Sequence, residues 1–211
     1  MGHYSDDFER ADENPISDGG KWSSVQDLSD VRSYQTGGYA MPAAGYTNCG
    51  MRRNTGDYTS DQYSQVEKRN PGAGNGDFLG INCRVSDNGQ NYYLGWLNTG
   101  GAGTSQLYSH VGAYNFVGIG GQWDAGPSLT TGDLTKMVCT GTNIDMQLNG
   151  TSTISGGRSN NVVSGGRPGI APYGGATAGC QSSKWWGGDG TGPAAAACVP
   201  VFLSQYRQRR N

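Results

Sequence analysis

Between Asp61 and Asn98 the chain alternates between apolar and polar residues in three short runs: DQYSQVEKR, then GDFLGINCRVS, then NYYLGWLN. A Gly/Pro/Asn segment separates the first two and DNGQ separates the last two, so the pattern predicts an antiparallel β-meander. Side chains alternate along a strand, which puts Leu79, Ile81, Cys83 and Val85 on one face. A tight turn at Asp87–Gln90 sets Arg84 opposite Tyr93 and Val85 opposite Tyr92, and adds Tyr92, Leu94 and Trp96 to that apolar face. The reverse face then carries Phe78, Asn82, Arg84 and Tyr93, with Tyr63, Gln65 and Glu67 beside them from the first strand. Such a face is either a solvated sheet surface or a ligand groove.

The same reading extends along the chain. An entry strand and loop are expected over residues 5–22, with short runs at 33–39 and 46–52. Leu134–Thr140 and Asn143–Asn149 form a hairpin pattern with Ile144, Met146 and Leu148 on one side. Asn149-Gly150 is a strong turn signal leading into residues 151–155, and 164–171 resumes an extended path. About a dozen short strands and no helix emerge, which predicts one all-β domain, a sandwich or jelly roll.

Composition narrows this further. The 211 residues include 37 glycines, and only 15% of residues are charged, which leaves little to build amphipathic helices. A net charge of −2 gives no basic footprint for nucleic acid. The five cysteines have no CxxC or Cys/His spacing, so zinc is not expected; Cys83 reads as a core residue, and Cys180 with Cys198 is one conceivable bridge. The polar N-terminus shows no secretory signal and no run is long enough to span a membrane, so synthesis in the cytoplasm without a signal peptide is expected. Residues 193–211 begin as a small-residue linker and end in VPVFLSQYRQRRN. The expected division is therefore a sandwich over 1–190 and a linker and docking tail over 191–211.

DDFER with Trp22 downstream, DQYSQVE, GINCRVSDNGQNYYLGW, TGDLTKMVCTGTNIDMQLNG, SGGRPGIA and WWGGD occur in that order. Together they resemble the concanavalin A-like lectin/glucanase superfamily, especially its laminin-G-like branch, over residues 5–190. The resemblance implies a concanavalin A-like jelly-roll sandwich of two antiparallel sheets, one of them concave, with the polar meander face on or near that surface. It also implies a structural calcium ion tying the terminal strands, with Asp6 or Asp7 and Asp189 as ligands. Hydrolases of the family use an ExDxE-like strand, and nothing in this chain matches it; Glu67 stands alone. Lyases of the fold use Arg, Gln, His and Tyr, to which Gln65, Arg84 and Tyr93 bear a superficial likeness.

The expected function is a non-enzymatic structural or adhesive sandwich on a particle surface, of the phage decoration or tail-fibre type. Tyr63, Phe78 and Tyr93 would stack on sugars, while Gln65, Asn82, Arg84 and Glu67 supply polar contacts. Its partners would be other virion proteins through the tail, and glycans. The alternatives are a stand-alone lectin and a polysaccharide lyase or glycoside hydrolase.

Overall fold

The computed structural model describes residues 2–34, 37–43, 47–70, 77–100, 104–113, 115–123, 128–175 and 178–192. Its strands in chain order are β1 (His3–Asp6), β2 (Trp22–Ser24), β3 (Val31–Tyr34), β4 (Tyr39–Pro42), β5 (Thr47–Asn48), β6 (Met51–Arg53), β7 (Gln62–Lys68), β8 (Phe78–Val85) and β9 (Asn91–Asn98). There follow β10 (Gln106–Val111), β11 (Phe116–Gly118), β12 (Leu134–Thr140), β13 (Asn143–Leu148), β14 (Thr151–Ser152), β15 (Arg158–Ser159), β16 (Arg167–Ile170), β17 (Tyr173–Gly174) and β18 (Ser182–Asp189). The one helical element among the described residues is a 3-10 turn, Ala178–Cys180, and none is long and apolar enough to cross a membrane.

The strands form two antiparallel sheets. The first runs β14-β13-β12-β7-β18-β4-β3, with β1 also on β18 and β15 on β13. The second runs β11-β10-β9-β8-β16-β6-β2, with β17 joining β8 to β5. Between them lies the core: Val66, Met137, Ile144, Met146 and Trp185 from the first sheet meet Leu79, Ile81, Cys83, Tyr93, Leu97 and Ile170 from the second. At Gly95 the two layers approach closely. A Cβ there would lie 2.5 Å from the Met146 sulfur and 2.7 Å from Met137 Cε, so any side chain would push the sheets apart.

Two features depart from the sequence reading. The first meander strand, β7, does not pair with β8; it crosses to the other sheet, between β12 and β18. The long Gly/Pro segment after Lys68 permits that change of layer, whereas a two-residue turn would not. The second departure is in register. Beside the turn the expected pairing holds, with Ser86 N donating to Asn91 O at 2.9 Å. Arg84, at φ 54, then inserts an extra residue into β8, and beyond it Cys83 lies opposite Tyr93. The partner strand β16 shows the same slip, pairing Arg167 with Val85 but Gly169 with Asn82. A one-residue bulge exchanges the faces of everything beyond it. Tyr93 therefore enters the core, and Tyr92, Leu94 and Trp96 turn outward.

The outward side of this hairpin is not a groove. It is a second apolar layer of Phe78, Val85, Tyr92, Leu94, Trp96 and Ala171, covered in part by Val25 and Leu28. Tyr92 OH donates to Gln26 O at 2.9 Å and Trp96 Nε1 to Ala171 O at 2.8 Å, so the polar ends of both rings are satisfied locally. His110 closes the layer, stacked on Tyr92 at 4.5 Å, with Nδ1 2.8 Å from Gln90 O and Nε2 3.0 Å from Asp27 Oδ2.

Candidate functional site

The polar surface expected on the hairpin is found instead on the outer face of the first sheet. Along β7, Ser64 and Val66 point inward; Ser64 Oγ donates to Gly169 O of the facing sheet at 2.6 Å. Tyr63, Gln65 and Glu67 therefore point out. Register extends each of them into a row. Gln147, Lys136, Gln65, Trp186 and Ser5 lie side by side across β13, β12, β7, β18 and β1. The neighbouring row is Asp145, Val138, Tyr63, Gly188 and His3, and a third holds Leu134, Glu67 and Lys184.

These side chains are not equivalent. Gln65 and Lys136 are nearly buried, at 7% and 6% exposure, and sit at the floor. Burial lowers the Lys136 pKa from its ordinary value, and its ammonium lies 5.2 Å over the Tyr63 ring. Tyr63 itself is walled in: His3 Nδ1 is 3.3 Å from its hydroxyl, and a Cβ at Gly192 would come within 2.7 Å of its ring. Burial pushes its phenol up to about 12. Tyr63 therefore shapes the floor and offers no open ring face. Trp186, half-buried between Gln65 and Ser5 in that row, lines open space on either side. The sequence reading missed it, although the alternation in SKWWGGD, with Trp185 in the core, gives its outward direction.

The other predicted contact residues lie elsewhere. Phe78 packs on Trp96 and Tyr173 in the outer layer of the second sheet. Asn82 is fully buried, its Nδ2 bonded to Met51 O and Ile170 O. Arg84 is 2% exposed and donates to Ser60 O, Gly141 O and Val163 O at 2.6–3.1 Å. The Tyr93 hydroxyl takes a hydrogen bond from Val163 N at 3.1 Å and lies 2.9 Å from Asn160 Oδ1. Of the seven, Tyr63, Gln65 and Glu67 share the outer face of the first sheet, and the other four belong to the second sheet.

The calcium ligands are likewise not brought together. Asp189 pairs beside Gly2, whereas Asp7 lies beyond the other end of β1, about 17 Å away along the strand. No cluster of three or more His, Cys, Asp or Glu suited to a metal occurs among the described residues. The Asp189 carboxylate is bound by protein donors: it accepts from Gly2 N at 3.2 Å and from Thr59 N at 2.6 Å. Burial raises its pKa, but these donors outweigh that and hold it below the usual carboxylate value. Asp6 accepts from Phe8 N, Arg10, Trp22 Nε1 and Arg53, so it too is fully occupied by protein.

What can the outer face do chemically? The carboxylates in these three rows are Glu67, bonded to Ser183 Oγ at 2.7 Å, and Asp145, bonded to Gln147 and Ser152. They are two strands and four residues apart, about 16 Å. Glycosidase carboxyl pairs stand at roughly 5–10 Å. These rows thus offer a planar ring, amides and charges, and their two carboxylates are not an acid pair at that spacing.

No family model matches the chain, and no curated protein matches it. Solved structures do match. The carbohydrate-binding module CBM66 from Bacillus subtilis superposes with a TM-score of 0.55, over 80% of this chain and 92% of that one, at 13% identity. A structure described with endo-acting O-glycanases of the human gut microbiota gives 0.55 over 88% and 98%, at 10% identity. The apo Crh5 transglycosylase gives 0.50 over 90% and 85%, at 12% identity. The chain has the concanavalin A-like sandwich fold, as carbohydrate-binding modules and glycan-processing enzymes do. Likeness at these identities carries the fold and nothing finer.

Proposed function

We propose that this protein is a non-enzymatic glycan-binding sandwich whose ligand lies on the outer face of the first sheet. One observation carries the reading: Gln147, Lys136, Gln65 and Trp186 align across four adjacent strands and present an indole beside amide and ammonium groups. A sugar's apolar face suits the ring and its hydroxyls suit the amides. Acid–base catalysis by the row carboxylates is disfavoured by the wide separation of Glu67 and Asp145, and a lyase constellation by the burial of Arg84 and Tyr93 at the second sheet. The wider setting we infer is display on a particle, such as a phage capsid or tail fibre, with the segment 193–211 as the attachment; that segment lies outside the described residues.

A glycan array with the wild-type protein, Gln65→Ala and Trp186→Ala tests the binding site. The expected outcome is binding to at least one glycan, weakened about tenfold or more by either substitution and unchanged by Phe78→Leu on the far sheet. No binding to any glycan overturns the reading. Appearance of unsaturated products from uronic-acid polymers, or of reducing ends from neutral ones, would make it an enzyme instead.

A further inference from the structure

Trp186 lines two clefts that flank the β1–β18 pair. On one side lies a space of about 730 Å³ bounded by His3, Tyr63, Asp189 and Gly192. On the other lies one of about 530 Å³, bounded by Asp7, Glu9, Asp18, Lys21, Arg53 and Lys184. The strand register shows how they are related. Ser5 faces Trp186 and His3 faces Gly188, so His3 in the first cleft and Asp7 in the second, one residue past the end of β1, stand four residues apart along the chain. That is about 13 Å with the indole between, longer than a single sugar ring.

The chemistry of the second cleft limits what it would take. Its cations, Arg10, Lys21, Arg53 and Lys184, are matched in number by Asp6, Asp7, Glu9 and Asp18. The inner members are already paired with one another: Asp6 with Arg10 and Arg53, and Asp18 with Lys21 and Arg53. No surplus charge remains to meet a carboxylate or sulfate, and desolvating such a group against Asp7 and Glu9 would be unfavourable. Donors and acceptors are nonetheless plentiful, and Arg10 keeps a buried Nη2 without a protein acceptor. Hydroxyl groups, which both donate and accept, suit a lining of this kind.

We propose that the two clefts are successive parts of one groove, bridged by Trp186, that takes a neutral oligosaccharide of at least two units. In this arrangement the Asp7/Glu9 cleft selects neutral over acidic sugars. The inference rests on the glycan-binding reading and adds to it a ligand class and a second contact region.

Calorimetric titration of the full chain with cellohexaose, laminarihexaose, xylohexaose, the corresponding disaccharides and hexagalacturonate tests it. At least one neutral hexasaccharide should bind about tenfold or more tightly than its disaccharide, and hexagalacturonate should not bind. The double variant Asp7→Asn/Glu9→Gln, at two exposed positions, should weaken hexasaccharide binding about fivefold or more at an unchanged melting temperature. Trp186→Ala should abolish it. If the double variant binds the hexasaccharide as tightly as wild type, or if hexagalacturonate binds equally well, the extended neutral groove is refuted while glycan binding stands. If none of these sugars binds but the array finds a ligand elsewhere, the ligand class is wrong; if the array is also blank, the underlying reading fails with it.

Discussion

Single buried charges carry much of the information in this structure. The Asp6 side chain is 3% exposed and its carboxylate gathers four donors, among them two guanidinium groups and the Trp22 indole. Asp6→Asn leaves two arginines facing an amide, and we expect a loss of about 3–5 kcal/mol in urea unfolding, the usual cost of breaking one side of a buried pair. Lys68 offers a test with the same pH sense as most carboxylates, and the reverse of a lysine held by an acidic partner. Its side chain is fully buried and donates to Gly179 O, and burial lowers its pKa from 10.5 to about 8. Between those values the unfolded chain holds the proton that the folded chain has released, so stability should rise as pH climbs through that window. Its contribution is on the order of 3 kcal/mol. Above about pH 10 Tyr63 acts the other way, because its buried phenol resists an ionisation that the unfolded chain undergoes freely. Urea midpoints measured from about pH 7 to pH 9, below the range where the buried Cys83 thiol begins to oppose the trend, should increase in the wild type, and Lys68→Met should flatten that slope.

At the scale of strands, Arg84 decides which residues of β8 and β9 face the core. Its side chain plugs one end of the sandwich by donating to three backbone carbonyls, and its own N–H donates to Gln62 Oε1 at 2.9 Å. Arg84→Ala should cost about 3 kcal/mol or more, with little rescue by lysine, because one ammonium cannot reach three divergent carbonyls. Glycan affinity of the fraction that stays folded should not change, which separates this structural role from a ligand contact. The bulge also marks where the sequence became illegible. The strands and the turn at Asp87–Gln90 were readable from alternation and glycine, as were the β12–β13 hairpin and the Asn149-Gly150 turn, which adopts φ 50 and 81. Nothing in RVS announces an extra residue, since an arginine at positive φ is held there by tertiary hydrogen bonds. One unread residue therefore moved Tyr93 into the core and Trp96 out of it.

For the molecule as a whole, alternation identifies which residues share a strand face but not which sheet the strand joins. The choice of sheet for β7 depends on layer crossing through a long loop, a non-local event with no local signature. Alternation therefore marks Tyr63, Gln65 and Glu67 as one face but sets it beside Phe78 and Asn82, whereas the strand pairing puts it on the opposite sheet. Trp186 and Lys136 escaped notice because they join that face only through pairing between distant segments. The same two-sheet architecture bears on residues 193–211. In the described part, β18 ends at Asp189, whose carboxylate already anchors Gly2 and Thr59, so the last strand of the first sheet is closed by its own contacts. A chain ending at Gly192 should accordingly melt within a few degrees of the full protein, about 1 kcal/mol at most on a domain of this size. It should retain the glycan affinity of the outer face and lose association with any particle that carries the full chain, as read by sedimentation. A large drop in melting temperature would instead mean that Val199, Val201, Phe202 and Leu203 complete the core, and the attachment role inferred for that segment would then be wrong.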